Sequence, residues 1–159
     1  MARLGSSEAS RSAGPPATSL PALVGAVKAL AHPGRLRLLA MLRAGDLCVC
    51  QMTAVLEFAA STVSAHLRDL RRAGLVTERK SGKWVHYHLV TTGPLADLVR
   101  EALRLVDADE RLRQDTRAVD DIRRVPLETF CRAGGTARPR TAAPAPKPRP
   151  RQTRTRRRT

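Results

Sequence analysis

Ser61-Thr62-Val63-Ser64-Ala65-His66-Leu67-Arg68-Asp69-Leu70-Arg71-Arg72-Ala73-Gly74 is the stretch whose reading decides the architecture. Val63, Leu67 and Leu70 recur at spacings of four and three, which predicts a helix over Ser61–Ala73 with one apolar stripe. Gly74 follows as its left-handed terminator. Upstream, Glu57–Ala60 reads as a brief break. Before it, Leu47–Leu56 predicts a short helix with Leu47, Met52, Val55 and Leu56 apolar. Two short helices joined by about four residues, the second polar on its outer face, have the spacing of a helix-turn-helix.

Downstream, Leu75–Lys80 and Lys83–Val90 alternate as strands do, with the hairpin turn expected at Ser81-Gly82. Val85, Tyr87 and Leu89 are expected to face inward, and Trp84, His86 and His88 the other way. A hairpin directly after a helix-turn-helix is a wing. Pro94 opens a last helix with Leu95, Leu98, Val99, Ala102 and Val106 on one stripe, expected to continue to Leu112. Further upstream, Leu20–Leu30 is a helix carrying Leu20, Leu23, Val24, Val27 and Leu30. His32-Pro33 breaks it, and Pro33 suits the first turn of the next helix. That helix, Arg35–Arg43, is expected to bury Leu36, Leu39 and Leu42, with Leu38 flanking, and to stop at Gly45. The fold class expected is therefore mainly α with a β-hairpin wing, a winged helix-turn-helix. The stripes on Leu20–Leu30 and Leu95–Val106 exceed what one small domain buries, so a homodimer through them is expected.

The chain has 159 residues and a formal net charge of +15, unevenly placed. Arg132–Thr159 holds ten Lys/Arg and no acid, which leaves nineteen basic and fourteen acidic residues before it. The division expected is a disordered tail over 1–18, a DNA-binding and dimerisation domain over 19–118, an extension bearing Cys131 over 119–131, and a basic Pro/Arg-rich disordered tail over 132–159. The basic tail is either a polyanion-seeking arm or a solubilising one. Met1–Thr18 lacks the apolar core of a secretory signal, and no stretch is long and apolar enough for a membrane span. Three cysteines, an odd number, argue against a disulfide framework and for a reducing, cytoplasmic setting.

With Val63, Leu67 and Leu70 turned to the core, Thr62, Ser64, Ala65, Arg68 and Arg72 look outward, with Ser61 at the helix start. Hydroxyl and guanidinium groups there suit base edges and phosphates of double-stranded DNA. Arg79, Lys80 and Lys83 flank the wing glycine and can reach a neighbouring groove or the backbone. The competing reading is an ordinary solvated face. His66 faces neither way cleanly and reads as a packed or phosphate-contacting histidine. His86 and His88 offer only two nitrogens with no nearby partner, too few for a metal site. An aromatic content of 3% argues against recognition of single strands or RNA by stacking.

Leu47-Cys48-Val49-Cys50 offers two soft thiolates, which select thiophilic ions. In a regular helix residues two apart diverge by about 200°. To grip one ion together, Cys48 and Cys50 would have to distort the helix start, and such a distortion would reach the reader helix. The alternative is two small packed residues.

Taken together, Leu47–Cys50, Ser61–Leu67, Ala73-Gly74-Leu75-Val76, Gly82–Tyr87 and Ala29–Leu39 resemble the ArsR/SmtB family of metal-sensing repressors, and most of all its arsenic-responsive branch. The resemblance covers about residues 20–106. It implies a homodimeric winged helix that represses a resistance operon and leaves DNA when As(III) or Sb(III), the inducer, binds its cysteines; no resident cofactor is required. The sequence departs from the pattern in several places. Many arsenic sensors have a third cysteine where Thr53 stands, and Cys131, from either protomer, is the only cysteine left to complete the site. Ala59, Ala60 and Ala65 replace residues that cap the reader helix or meet bases in the family. The end-helix zinc site of other members needs histidine, and Leu95–Leu112 has none.

Two alternatives keep the fold and change the signal: Cd(II) or Pb(II), or oxidation of the thiols. The lead- and cadmium-sensing relatives add N-terminal cysteines, and residues 1–47 contain none. From another class, the chain could coat nucleic acid non-specifically through its tail. An enzyme is not expected, since no nucleophile with a base partner, phosphate loop or pair of acids stands out.

Overall fold

The computed structural model describes residues 18–132. The expected tails, 1–18 and 132–159, lie outside these residues but for Thr18 and Arg132. Seven helices and three strands follow in the order α1 (Leu20–Leu30), α2 (Pro33–Arg43), β1 (Leu47–Cys48), α3 (Val49–Leu56), α4 (Ala60–Arg72), β2 (Val76–Ser81), β3 (Trp84–Leu89), α5 (Pro94–Leu105), α6 (Glu110–Arg123) and α7 (Leu127–Arg132).

Local chemistry sets most of these boundaries. The Ser19 hydroxyl accepts from the Ala22 amide to start α1, with Pro21 in its first turn. At α2 the cap is His32, whose Nδ1 accepts from Gly34 N–H at 3.0 Å just before Pro33. α4 begins at Ala59 without a side-chain cap, as the alanines there imply. Gly74 (φ +71) ends it in the left-handed region. Val63, Leu67 and Leu70 are fully buried, so the reader helix has the expected orientation.

α2 lies at the centre. It packs against α1, α3, α4, α5, α6 and β3 and buries Leu38, Leu39, Ala40, Met41 and Leu42. The expectation of a one-sided helix with Leu38 flanking is corrected here. Surrounded on several sides, α2 has no solvent stripe to keep polar, and Leu36 is only half-buried.

β2 and β3 form the wing, paired antiparallel from Val76↔Leu89 to Ser81↔Trp84. The turn is therefore Gly82-Lys83, one residue beyond the position expected, with Gly82 at φ +58. Tyr87 and Leu89 pack on the core, whereas Val85 near the tip is exposed and takes no part in it, contrary to the inward place expected.

Three features depart further from the sequence reading. Leu47–Cys48 is a strand, not the first turn of a helix. It pairs with the outer edge of β3 (Leu47↔Tyr87, Cys48↔His86), giving a three-stranded sheet in the order β1-β3-β2. The helix from Pro94 does not reach Leu112. It stops at Leu105, and the Asp109 carboxylate starts a new helix by accepting from the Arg111 and Leu112 amides at 2.9 and 3.1 Å. The chain then returns across the domain. α6 contacts α2 and α3, with Val119 and Ile122 buried, and α7 contacts α3 with Phe130 fully buried. The expected boundary between residues 118 and 119 falls inside α6.

The return is fastened by charge. Arg37 of α2 donates two hydrogen bonds to Asp115 of α6, at 2.6 and 2.8 Å, and Asp115 is buried. Arg123 donates to the carbonyls of Ala44 and Asp46, tying the end of α6 to the loop before β1.

Candidate metal centre and nucleic-acid interface

Cys48, Cys50 and Cys131 meet at one point, their sulfurs all within 4.8 Å of one another. Each is placed by a different element. Cys48 ends β1 in extended conformation (φ −91, ψ 163) and caps α3. Cys50 lies in the first turn of α3, and Cys131 comes from α7 of the same chain. The Cys48 N–H donates to Gln51 Oε1 at 3.0 Å, which holds the strand-to-helix corner.

The geometry corrects the idea that chelation must distort a helix. Cys48 lies before the helix rather than within it, so its sulfur and that of Cys50 converge without any unwinding. It also corrects the inference against disulfides. Cys50 and Cys131 are joined, with Cα atoms 6.1 Å apart, and Cys48 Sγ lies 3.7 Å from Cys131 Sγ as a free, buried thiol. An odd count rules out complete pairing only. Once α6 and α7 fold back, one pair can form and a third sulfur stays beside it. Reduced, the same atoms are three thiol ligands on one face; joined, they are the oxidised form of that face.

Burial pushes the Cys48 thiol above the ordinary range, and the backbone amides of Gln51 and Cys50 at the start of α3 partly offset this. Thr53, where many arsenic sensors carry their third cysteine, is half-buried, with its hydroxyl unpartnered among the described residues.

The candidate nucleic-acid face is α4 and the wing. Ser61, Thr62, Arg68 and Arg72 are exposed on α4, and Ser64 and Ala65 are half-buried. His66 turns toward α2, its ring 4.4 Å from that of His32 and 6.3 Å from that of Phe58. Burial lowers its pKa, and the neighbouring His32 and Arg35 lower it further. On the wing, Arg79, Lys80 and Lys83 are all exposed. Two of these cations already face acids: Arg79 lies 3.8 Å from Asp46 and Lys83 3.3 Å from Glu128. Lys83 also sits 5.1 Å over the Trp84 ring. Asp46 in turn meets His88 Nδ1 at 2.5 Å, a partner for His88 that sequence did not suggest.

Sequence reasoning missed α6 and α7 and the acid, Glu128, that α7 brings to the wing. The signals were present but weak. They are Asp109 as a cap, Val119 and Ile122 at helical spacing in a charged segment, and an isolated Phe130 beside Cys131.

The arsR family of bacterial regulatory proteins matches residues 32–78, the span from the α2 cap through the reader helix into the wing. The arsenical resistance operon repressor of Escherichia coli is 41% identical over 80 residues, covering 48% of this chain and 68% of that protein. The chain belongs to the ArsR family. It is a DNA-binding transcriptional regulator with a winged helix-turn-helix, not an enzyme. The arsenic resistance regulator ArsR1 of Pseudomonas putida is 44% identical over 63 residues, 39% of this chain and 49% of that one, so the match spans about half of that relative. Among solved structures, a homodimeric winged helix-turn-helix DNA-binding domain from Mycobacterium bovis, a possible ArsR-family regulator, superposes with a TM-score of 0.50. It is 27% identical and covers 57% of this chain and 83% of that one. In this ArsR-family regulator the cysteine cluster is a site that could hold a metal or metalloid. Among the described residues no helix is long and apolar enough to cross a membrane.

Proposed function

We propose that this ArsR-family regulator is a cytoplasmic, homodimeric repressor that holds operator DNA and releases it when As(III) or Sb(III) binds Cys48, Cys50 and Cys131. The convergence of three sulfurs from one chain within 4.8 Å carries the reading. Soft thiolates select thiophilic ions, and trivalent arsenic takes three ligands in a pyramid, with its lone pair in the fourth direction. The same count disfavours Cd(II), which gains from a fourth thiolate, and residues 1–47 lack the N-terminal cysteines that the lead- and cadmium-sensing relatives add. The relatives named for arsenic resistance support the same choice. Dimerisation through α1 and α5 is supported by the exposure of Leu20, Leu23, Val24, Val27 and Leu105, large apolar side chains left uncovered in the single chain. Ser61, Thr62, Ser64, Ala65, Arg68 and Arg72 would meet DNA from the reader helix, with His66 behind them, and Arg79, Lys80 and Lys83 from the wing. The tail over 132–159 would add affinity without sequence preference.

A second reading has its own observation. The bond between Cys50 and Cys131 makes thiol oxidation an alternative signal through the same residues. One titration separates the two. The reduced full-length protein is bound to its own promoter DNA and challenged with As(III), Sb(III), Cd(II), Zn(II) or an oxidant. As(III) and Sb(III) are expected to release it at the lowest concentrations, and Cys48→Ser/Cys50→Ser to bind DNA without responding. Normal As(III) release by that double variant ends the metalloid reading; release by oxidant alone favours the second.

A further inference from the structure

The acids that meet the wing cations come from the segments that carry the sulfurs. Asp46 stands two residues before Cys48 and faces Arg79; Glu128 stands three residues before Cys131 and faces Lys83. Asp46 is held by β1, which the sheet fixes. Glu128 is different. It sits on a six-residue helix at the end of the described chain, and the two main anchors of that helix are the fully buried Phe130 and the Cys131 sulfur. A helix this short is not stable alone in water, so its place depends on those two anchors.

We propose that α7 is a latch between sensor and wing: fastening Cys131 to Cys48 and Cys50 docks α7 and sets the Glu128 carboxylate on the wing's Lys83, which takes that cation away from DNA phosphate. The inference rests on the reading of the cysteines as the sensor, and it adds how their closure reaches the DNA face. Lys83 held over Trp84 and facing Glu128 is a neutralised cation, and the carboxylate occupies the place beside it that a DNA phosphate would take. Released, α7 takes Glu128 with it, and Lys83 is free to contact the backbone. The coupling is electrostatic and local, so it requires no deformation of α3 or α4. It also meets the requirement that the closed state bind DNA more weakly than the open one.

The test uses the full-length protein and Glu128→Gln on the same promoter DNA, each reduced, As(III)-loaded and oxidised by diamide. Diamide, an azo compound, accepts two hydrogens from two thiols and becomes the hydrazine, leaving a disulfide. Either pairing with Cys131 fastens α7 without any metalloid. The reduced forms are expected to bind DNA equally, because an undocked Glu128 touches nothing on the wing. On closure, wild type is expected to lose about three- to tenfold more affinity than Glu128→Gln, from two exposed ion pairs per dimer. The variant's As(III) affinity without DNA should fall by no more than the few-fold that one exposed ion pair supplies. An equal loss on closure in both proteins overturns the latch, as does a wild type that responds to neither closure. If diamide releases wild type more than Glu128→Gln while As(III) does nothing, the latch stands and the metalloid reading fails.

Discussion

Replacing Phe130 by alanine separates the docking of α7 from the stability of the domain. Phe130 has no exposed surface, yet it lies outside the principal core cluster built from α1 to α6 and the sheet. Its burial therefore stabilises the docked position of α7 more than the domain as a whole. Full burial of such a side chain contributes about 1.5–3 kcal/mol, which is roughly 10- to 150-fold in the docking equilibrium. In the reduced protein α7 is undocked, and that shift makes its docking, and the arrival of the third sulfur at the cluster, harder when the site closes. As(III) affinity should fall by up to that factor and approach the value for Cys131→Ser, while thermal unfolding moves little. Competition titration of As(III) against a dithiol chelator checks this. If Phe130→Ala binds As(III) like wild type while Cys131→Ser is weakened, α7 does not need its anchor and the reasoning fails. If the whole domain unfolds early instead, Phe130 belongs to the core after all.

Asp115→Ala should destabilise the domain by about 3–5 kcal/mol, because it strands the buried Arg37 guanidinium; denaturant unfolding measures this, and Arg37→Met/Asp115→Leu should recover most of it. Leu23→Asp with Val27→Asp should shift the protein to monomer in sedimentation and weaken operator binding, since it charges the uncovered face of α1. Stability of the metal-free protein with Cys50 and Cys131 joined should fall as pH rises past the ordinary thiol value of 9.0. Burial raises the Cys48 pKa in the folded state, so the unfolded chain loses its proton first and is favoured there. Cys48→Ala should flatten that decline, and an unchanged slope would show that the Cys48 thiol is not protected by the fold.

The helix-turn-helix and wing were legible because their information is local. Val63, Leu67 and Leu70 show the reader helix's buried face without any tertiary input, and Gly74 and Gly82 mark where the chain must turn. α2 was harder, since a helix packed on several sides loses the contrast on which periodicity depends. Leu47–Cys48 reads as helix because apolar residues run on without a break into α3. Only pairing with β3 makes it a strand, and a two-residue strand has too little pattern to announce itself. α6 was the largest omission. Its buried face includes Asp115, a charged residue whose partner Arg37 lies 78 positions away, so the feature that anchors the helix looks in sequence like solvent exposure.

The same long-range return explains why the cysteine pair was readable and its geometry was not. Cys-x-Cys by itself suggests a strained chelate, and the family pattern points to a third ligand at Thr53, where there is none. The third sulfur instead arrives after a separation of 81 residues from Cys50, carried by a helix pair that the Arg37–Asp115 ion pair holds against α2 and that Arg123 ties to carbonyls of the loop before β1. Moving that ligand from α3 to a late helix changes more than its position in the chain. A thiolate three residues along α3 would be fixed to the helix-turn-helix and would report only through it. A thiolate on α7 brings its own neighbours, Glu128 among them, to the wing whenever the site closes. In the proposed arrangement the sensor and the DNA-facing charges are joined through the third ligand itself, and the rest of the helix-turn-helix can stay as it is.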